Sequence, residues 1–184
     1  MSAHNWSQQL KEISESFSLN FGSLTDEELN FKPNATTWSI AQNLEHLILV
    51  NESYYPIIKA VRDKKYVLPW LGKFKKVTKF FGKLILNSVE ATRKKRIKTF
   101  VIWDPAKSDI APGIFSRFIT HQHEFAEFIA QCADLVANET VISSPANKNI
   151  VYRLETAFDI IVEHERRHLN QALEVLSVLK SEVV

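Results

Sequence analysis

The sequence of 184 residues predicts a single all-α domain, an up-and-down four-helix bundle with one long crossover connection. Four long segments carry apolar residues at helical spacing, and no segment alternates polar and apolar residues as a strand does. Glycine is scarce: it accounts for 4 of the 184 residues, about 2%, against a usual frequency of ~7%. This scarcity disfavours folds that depend on tight turns or glycine-rich phosphate loops. The length fits one domain, so residues 1–184 are assigned to one unit.

The first helix is predicted over residues 5–21, and Gly22 ends it. Its apolar positions recur every three or four residues and are Trp6, Leu10, Ile13, Phe17 and Phe21. Thr25 and Glu28 match the pattern of a capping box, which predicts one short turn of helix after the first.

Three more long helices are predicted. The second begins at Thr37 as its N-cap, and Pro56 is expected to kink it or end it. The third covers about 113–135. A polar connection over 138–149 then leads to the fourth helix, over about 150–180.

The connection over 65–110 is predicted to be a basic, partly helical crossover. Residues 59–98 contain fourteen basic and two acidic residues, so this stretch carries a net charge of +12 and the rest of the chain −10. The overall charge of +2 conceals this division. Within 70–85, apolar residues at helical spacing alternate with lysines, which predicts a basic amphipathic helix.

This basic segment has two interpretations. In the one we favour, its apolar side chains pack over the bundle as a lid or form a homodimer surface; they are Trp70, Phe74, Phe80, Phe81 and Leu84. In the other, the helix contacts an anionic membrane or nucleic acid phosphates, and Arg93–Arg96 adds charge. A specific nucleic acid partner is not expected. Attraction of an anionic substrate is compatible with the first interpretation.

The strongest motif is His164-Glu165-Arg166-Arg167-His168. Histidines four residues apart on a helix share one face, about 6 Å apart, and can bind one metal ion. In zinc peptidases the same H-E-x-x-H pattern supplies a glutamate as general base. Glu165 is rotated about 100° from His164 around the helix, so we do not assign it that role.

A third ligand is expected upstream, and His46 is the best candidate because it lies on an inward helical stretch. A lone histidine there is more often a hydrogen-bonded core residue, but a facing pair of histidines favours the metal interpretation. His121 and His123 diverge by about 200° on the third helix, so they cannot share an ion. Structural roles are expected for both.

Two segments resemble the DinB-like superfamily: residues 38–47, with Trp38 eight positions before His46, and His164-x-x-x-His168-x-x-Gln171. The resemblance implies an up-and-down four-helix bundle with a long crossover. It also implies one divalent metal ion, zinc or nickel, which the ligands His46, His164 and His168 hold with a fourth position for water or a thiol.

Gln171 and Arg167 are predicted to support the ligands by hydrogen bonds from outside the coordination sphere. A solvated or capping role fits Arg167 equally well. Three imidazoles by themselves suit zinc, nickel, copper and iron alike.

The superfamily includes metal-dependent bacillithiol and other low-molecular-weight-thiol transferases. We therefore expect metal-dependent transfer of a small thiol to an electrophile. A bound divalent ion would lower the pKa of a thiol or of water. The alternatives are a metal-dependent hydrolase and a noncatalytic protein whose basic segment binds membrane or nucleic acid. No catalytic side chain is assigned.

The cysteine content indicates the compartment. The single cysteine, Cys132, excludes an internal disulfide and a cysteine-based zinc cluster, and we expect it to be buried. Secretory and membrane-spanning patterns are not recognised. A cytoplasmic location is predicted.

Overall fold

The computed structural model describes residues 5–90, 92 and 99–182, which are mostly helical. In chain order the helices are α1 (Trp6–Phe21), α2 (Asp26–Asn30), α3 (Ile40–Glu52), α4 (Tyr55–Arg62), α5 (Lys75–Val89), α6 (Ile114–Ala130), α7 (Ala133–Ala137) and α8 (Leu154–Glu182). Between α7 and α8, the strands β1 (Val141–Ser144) and β2 (Asn147–Arg153) pair in antiparallel orientation. None of the described helices combines the length and apolar composition needed to cross a membrane.

One apolar core lies between the long helices. α1 and α3 each pack against both α6 and α8. The largest fully buried side chains in this core include Phe17, Phe21, Phe118, Phe125, Phe158 and Tyr152. Full burial of an aromatic or aliphatic side chain contributes about 1.5–3 kcal/mol, so these residues supply much of the stabilising free energy.

The first two helices begin and end as the sequence predicts. Asn5 caps α1 by accepting a hydrogen bond from the backbone N–H of Gln8, and Gly22 follows its last residue. The capping box of α2 is present, with Thr25 and Glu28 each accepting a backbone N–H of the other. Local hydrogen bonding is therefore sufficient to place these termini.

The start of α3 differs from the prediction, because Ser39 and not Thr37 is its N-cap. Ser39 Oγ accepts from the backbone N–H of Gln42, and Gln42 Oε1 accepts from that of Ser39. Thr37 instead donates its hydroxyl to Asn34. Pro56 was expected to kink or end this helix; α3 ends at Glu52, and the proline lies in the first turn of α4, where a missing N–H is tolerated.

Two other predicted boundaries are wrong. The third helix ends at Ala130, and the residues up to 135 belong partly to α7. The predicted polar connection over 138–149 contains β1 and the start of β2, so α8 begins at Leu154. The strands were missed because β1 has only four residues, three of them buried in succession, which leaves no alternating pattern.

The basic helix α5 packs on β2 and α8, and its Ile85, Leu86 and Val89 are partly buried against the core. Thr78 and Gly82 are its buried positions. By contrast, four of the apolar side chains expected to pack over the bundle are exposed: Trp70 67%, Phe74 43%, Phe80 63% and Leu84 50%. The interpretation of these four as an intramolecular lid is therefore wrong. Arg93–Arg96 lies outside the described residues.

Close packing at Gly82 leads to a stability prediction. A Cβ at this position would lie 2.9 Å from Cγ2 of Thr156, at the start of α8. We expect Gly82→Val to lower the free energy of unfolding by roughly 1–3 kcal/mol, as overpacked sites do. Urea unfolding of the two proteins measures this change in the free energy of unfolding. Lys83→Val, at the exposed next position, is the control and should stay within about 0.5 kcal/mol of wild type. Equal stability of the two variants would contradict the close contact of α5 and α8.

Candidate metal centre

The helices α3 and α8 bring together the three histidines predicted as ligands. Nε2 of His164 lies 3.3 Å from Nε2 of His46 and 3.0 Å from Nε2 of His168. One ligand nitrogen from each of the three lies within 4.8 Å of the others. His46 and His168 are buried, whereas His164 is partly exposed. The cluster therefore reaches the surface at His164.

The separations between these nitrogens suit a single ion. Nitrogens that bind one metal at about 2.0–2.1 Å, with angles between the right angle and the tetrahedral value, are roughly 3.0–3.4 Å apart. Both measured separations at His164 lie in this range. Two of the three nitrogen pairs are therefore spaced as ligands of one ion, and the third pair lies within 4.8 Å.

Hydrogen bonds determine which nitrogen of His46 carries the proton. Nδ1 of His46 lies 2.7 Å from the backbone carbonyl oxygen of Trp103. A carbonyl only accepts, so Nδ1 must donate, and Nε2 of the neutral ring is left with a free lone pair. That lone pair points toward His164.

Hydrogen bonds also determine which nitrogen of His168 carries the proton. Its Nδ1 lies 2.7 Å from Oδ1 of Asn43. The orientation of that amide is fixed because Nδ2 of Asn43 donates to the backbone carbonyl of Ser39 at 2.8 Å. Nδ1 of His168 is therefore the donor, and its Nε2 also presents a lone pair. Such outer hydrogen bonds are typical of metal-ligating histidines.

The cluster holds more lone pairs than protons. His164 Nε2 faces the lone pairs of both other rings and can donate to only one of them. Burial lowers the pKa of His46 to about 4 and holds the pKa values of His164 and His168 well below 6.5. The rings are thus neutral at pH 7, which is the form that binds metals.

Trp38 packs against two of the three imidazoles. Its ring is stacked on that of His168, with centroids 5.9 Å apart, and is tilted against that of His46 at 4.9 Å. The indole covers one side of the cluster and restricts rotation of both rings. This contact accounts for a tryptophan near the start of α3.

The segment that carries Trp103 is attached to α3 by further hydrogen bonds. Gln42 donates to the carbonyl of Ala106 at 2.7 Å, and Glu45 accepts from the N–H of Ala106 at 2.7 Å. The indole N–H of Trp103 donates to Ser53 Oγ at 3.2 Å. These supports were not predicted from the sequence. The available signal was the pair of polar residues Gln42 and Glu45, which lie four positions and one position before His46.

Glu165 lies apart from the three histidines. It is fully buried, and its Oε1 accepts from Asn51 Nδ2 at 2.8 Å and from Gln122 Nε2 at 2.9 Å. Burial raises its pKa to about 7. Its carboxyl group thus joins α8 to α3 and α6, and the expectation that it is not the general base stays a prediction.

Arg167 and Gln171 differ in their contacts. Arg167 is buried and donates to the backbone carbonyl of Ser88 at 3.0 Å, near the end of α5. Its charge contributes to the lowered pKa values of His164 and His168. Among the described residues, no hydrogen bond joins the half-buried Gln171 to the histidines. The predicted supporting role of both residues stays a prediction.

The other histidines of α6 do not join the cluster. His121 is buried, with its ring 5.6 Å from that of Phe125 and 6.4 Å from that of Tyr55. His123 is exposed. Cys132 is buried, as predicted.

Fold and site together define a mostly helical protein with a three-histidine cluster that could hold a metal ion. The family model of the DinB superfamily matches residues 9–172, so the chain belongs to that superfamily. The resemblance seen in the sequence is thereby confirmed. Searches of curated proteins and of solved structures find no match.

The buried His121 provides a pH-dependent prediction. Burial, with a smaller contribution from Arg117, lowers its pKa from 6.5 to about 4. Because the folded-state pKa lies below the unfolded value, the contribution to stability is complete above pH 6.5 and is lost as the pH falls toward 4. We expect His121→Leu to lose less unfolding free energy than wild type between pH 7 and 4, by roughly 2–3 kcal/mol.

Chemical denaturation at several pH values measures this difference. His123→Leu is the matched control, since it removes an exposed histidine from the same helix. Its pH dependence should follow that of wild type. Parallel curves for His121→Leu and wild type would contradict the prediction.

Proposed function

We propose that this chain binds one divalent ion, zinc or nickel, through His46, His164 and His168, and transfers a small thiol to an electrophile. The main support is the arrangement of the three imidazole Nε2 atoms, which lie close together. Those of His46 and His168 both present lone pairs, and His164 can donate a proton to only one of them. We further infer that α1, α3, α6 and α8 form the up-and-down four-helix bundle of the family, with residues 65–110 as its crossover.

Thiol transfer fits the groups around the cluster better than hydrolysis does. A divalent ion held by neutral imidazoles lowers the pKa of a bound thiol, and the thiolate is then a nucleophile at neutral pH. Hydrolysis usually requires a positioned general base. Glu165 uses its Oε1 to join Asn51 and Gln122, and within the described residues the metal-binding cluster contains histidines alone.

The chain's own residues would serve mainly to hold and expose the site. The Trp103 carbonyl and Asn43 Oδ1 keep Nε2 of their histidines free of protons. Trp38 shields the rings on one side, while the partial exposure of His164 leaves an approach for small molecules. An electrophilic carbon would reach the sulfur from that side: the C–S bond would form as the carbon–halogen bond or the epoxide C–O bond breaks, and the thiol proton would pass to solvent.

Metal analysis tests the first half of the proposal. We expect wild-type protein, dialysed after incubation with Zn²⁺ or Ni²⁺, to retain about one equivalent, as a three-ligand site does. His168→Ala removes a ligand and should retain less than about a tenth of that amount. Less than a tenth of an equivalent in wild type would overturn the metal site.

Two further variants separate ligation from general damage. Asn43→Leu removes the acceptor that holds Nδ1 of His168, so we expect metal affinity to fall about 10–100-fold. His123→Ala, an exposed histidine on α6, should bind as wild type does. Thermal unfolding of the metal-free proteins checks that each variant is folded.

A reaction screen tests the second half. Metal-loaded protein is incubated with a panel of low-molecular-weight thiols and an electrophile such as an alkyl halide or an epoxide, and thioether product is measured. We expect product formation that requires metal and falls at least about 100-fold in His168→Ala. Ester hydrolysis that proceeds equally without any thiol would favour the hydrolase instead. Metal binding without either reaction would refute the transferase while leaving the metal site intact.

A further inference from the structure

The face of α5 that points away from the protein is apolar and uncovered. Phe80 and Leu84 lie one turn apart and are 63% and 50% exposed. Just before the helix, Trp70 is 67% exposed and Phe74 43%, with their rings in edge contact at 4.8 Å. Two pairs of exposed large apolar side chains thus lie within fifteen residues of the chain, and such exposure is typical of interaction sites. We name Trp70, Phe74, Phe80 and Leu84 the outer α5 face.

The exposure follows from the way α5 packs. Its buried positions are Thr78 and Gly82, one turn apart, and they lie almost opposite Phe80 around the helix. Gly82 brings the backbone of α5 close to Thr156. Ile85, Leu86 and Val89 are partly buried against the core, whereas Phe80 and Leu84 face solvent, so apolar residues lie on both sides of α5.

Positive charge surrounds the outer α5 face. Residues 64–89 contain seven lysines and no acidic residue. The five lysines within 73–83 are exposed. Among described ion pairs, only one involves them, Lys75 with Glu139 at 4.0 Å. On the helix, Lys76 and Lys83 lie on the same side as Phe80, four residues before it and three after it.

This combination argues against a second copy of the chain as the partner. In a symmetric dimer the same face lies on both subunits, so two outer α5 faces would bring the lysines of both chains together. Like charges at close range oppose such docking. The rings of Trp70, Phe74 and Phe80 could also stack on nucleic acid bases, whereas the aliphatic Leu84 beside Phe80 suits a lipid surface and adds nothing to stacking.

We propose that the outer α5 face binds the surface of anionic lipid membranes, with its aromatic and aliphatic side chains among the lipid headgroups. Lysines beside tryptophan, phenylalanine and leucine are the composition of interfacial helices. Each lysine near a negatively charged leaflet adds attraction, and Trp70 suits the headgroup layer. The proposal does not depend on the histidine cluster.

Vesicle flotation with the full chain tests the proposed membrane binding. We expect binding to vesicles of phosphatidylcholine with about 30% phosphatidylglycerol, little binding to pure phosphatidylcholine, and a steep decrease between 20 and about 300 mM salt. Blue-shifted tryptophan fluorescence should accompany binding. Absence of binding at low salt, or equal binding to both vesicles, would overturn the proposal.

Two pairs of substitutions separate the apolar and charged contributions. Phe80→Ser/Leu84→Ser should weaken vesicle binding at least about tenfold, and Lys76→Gln/Lys83→Gln about tenfold. Lys11→Gln/Leu19→Ser is the matched control, since both residues are exposed on α1, and it should bind as wild type does. Circular dichroism verifies folding. Retained binding by Phe80→Ser/Leu84→Ser would overturn the proposal.

The competing partners give distinct results. Sedimentation of wild type and Phe80→Ser/Leu84→Ser reports self-association: a dimer that this pair alone dissociates would assign the face to a second copy. Binding of a single-stranded oligonucleotide without vesicle binding would assign it to nucleic acid. Either result contradicts the membrane proposal.

Discussion

The register between α3 and α8 is set by buried hydrogen bonds. Asn43 pairs with His168 at 2.7 Å and Asn51 with Glu165 at 2.8 Å, so both polar contacts cross the same helix interface. Apolar side chains can repack at modest cost after a small shift, whereas a buried polar group that loses its partner costs about 1–3 kcal/mol. These two contacts therefore admit one alignment, and that alignment is the one in which His46 meets His164.

The hydrogen bonds at Nδ1 of His46 and His168 reduce the free-energy cost of burying the histidine cluster. Each outer hydrogen bond satisfies the Nδ1–H of a neutral ring and leaves the inner nitrogens as the remaining polar atoms. Burying unpaired acceptors is unfavourable, so the cluster is a cost to the metal-free fold. If the proposed ion binds there, its binding free energy also becomes stabilisation of the folded state.

Local signals in the sequence predicted more of this structure than long-range ones could. The helix starts at Asn5 and Thr25 follow from short-range capping, and the His-x-x-x-His pair follows from helical spacing. The hydrogen bond between His46 and the Trp103 carbonyl joins residues 57 positions apart. Because its acceptor is a backbone atom, no particular residue type at position 103 predicts it. The outward orientation of Phe80 was likewise invisible, because it depends on how closely α5 approaches Thr156.

The position of α8 in the chain has a consequence for how the protein is made. α8 contacts α1, α3 and α5, and Trp6 donates a hydrogen bond to Asp159 across 153 residues. These three helices are synthesised before α8, and the parts of their surfaces that α8 covers remain exposed until it emerges. Proteins that depend on such distant contacts fold slowly and expose aggregation-prone surface meanwhile. Completion of the core therefore depends on the last helix of the described chain.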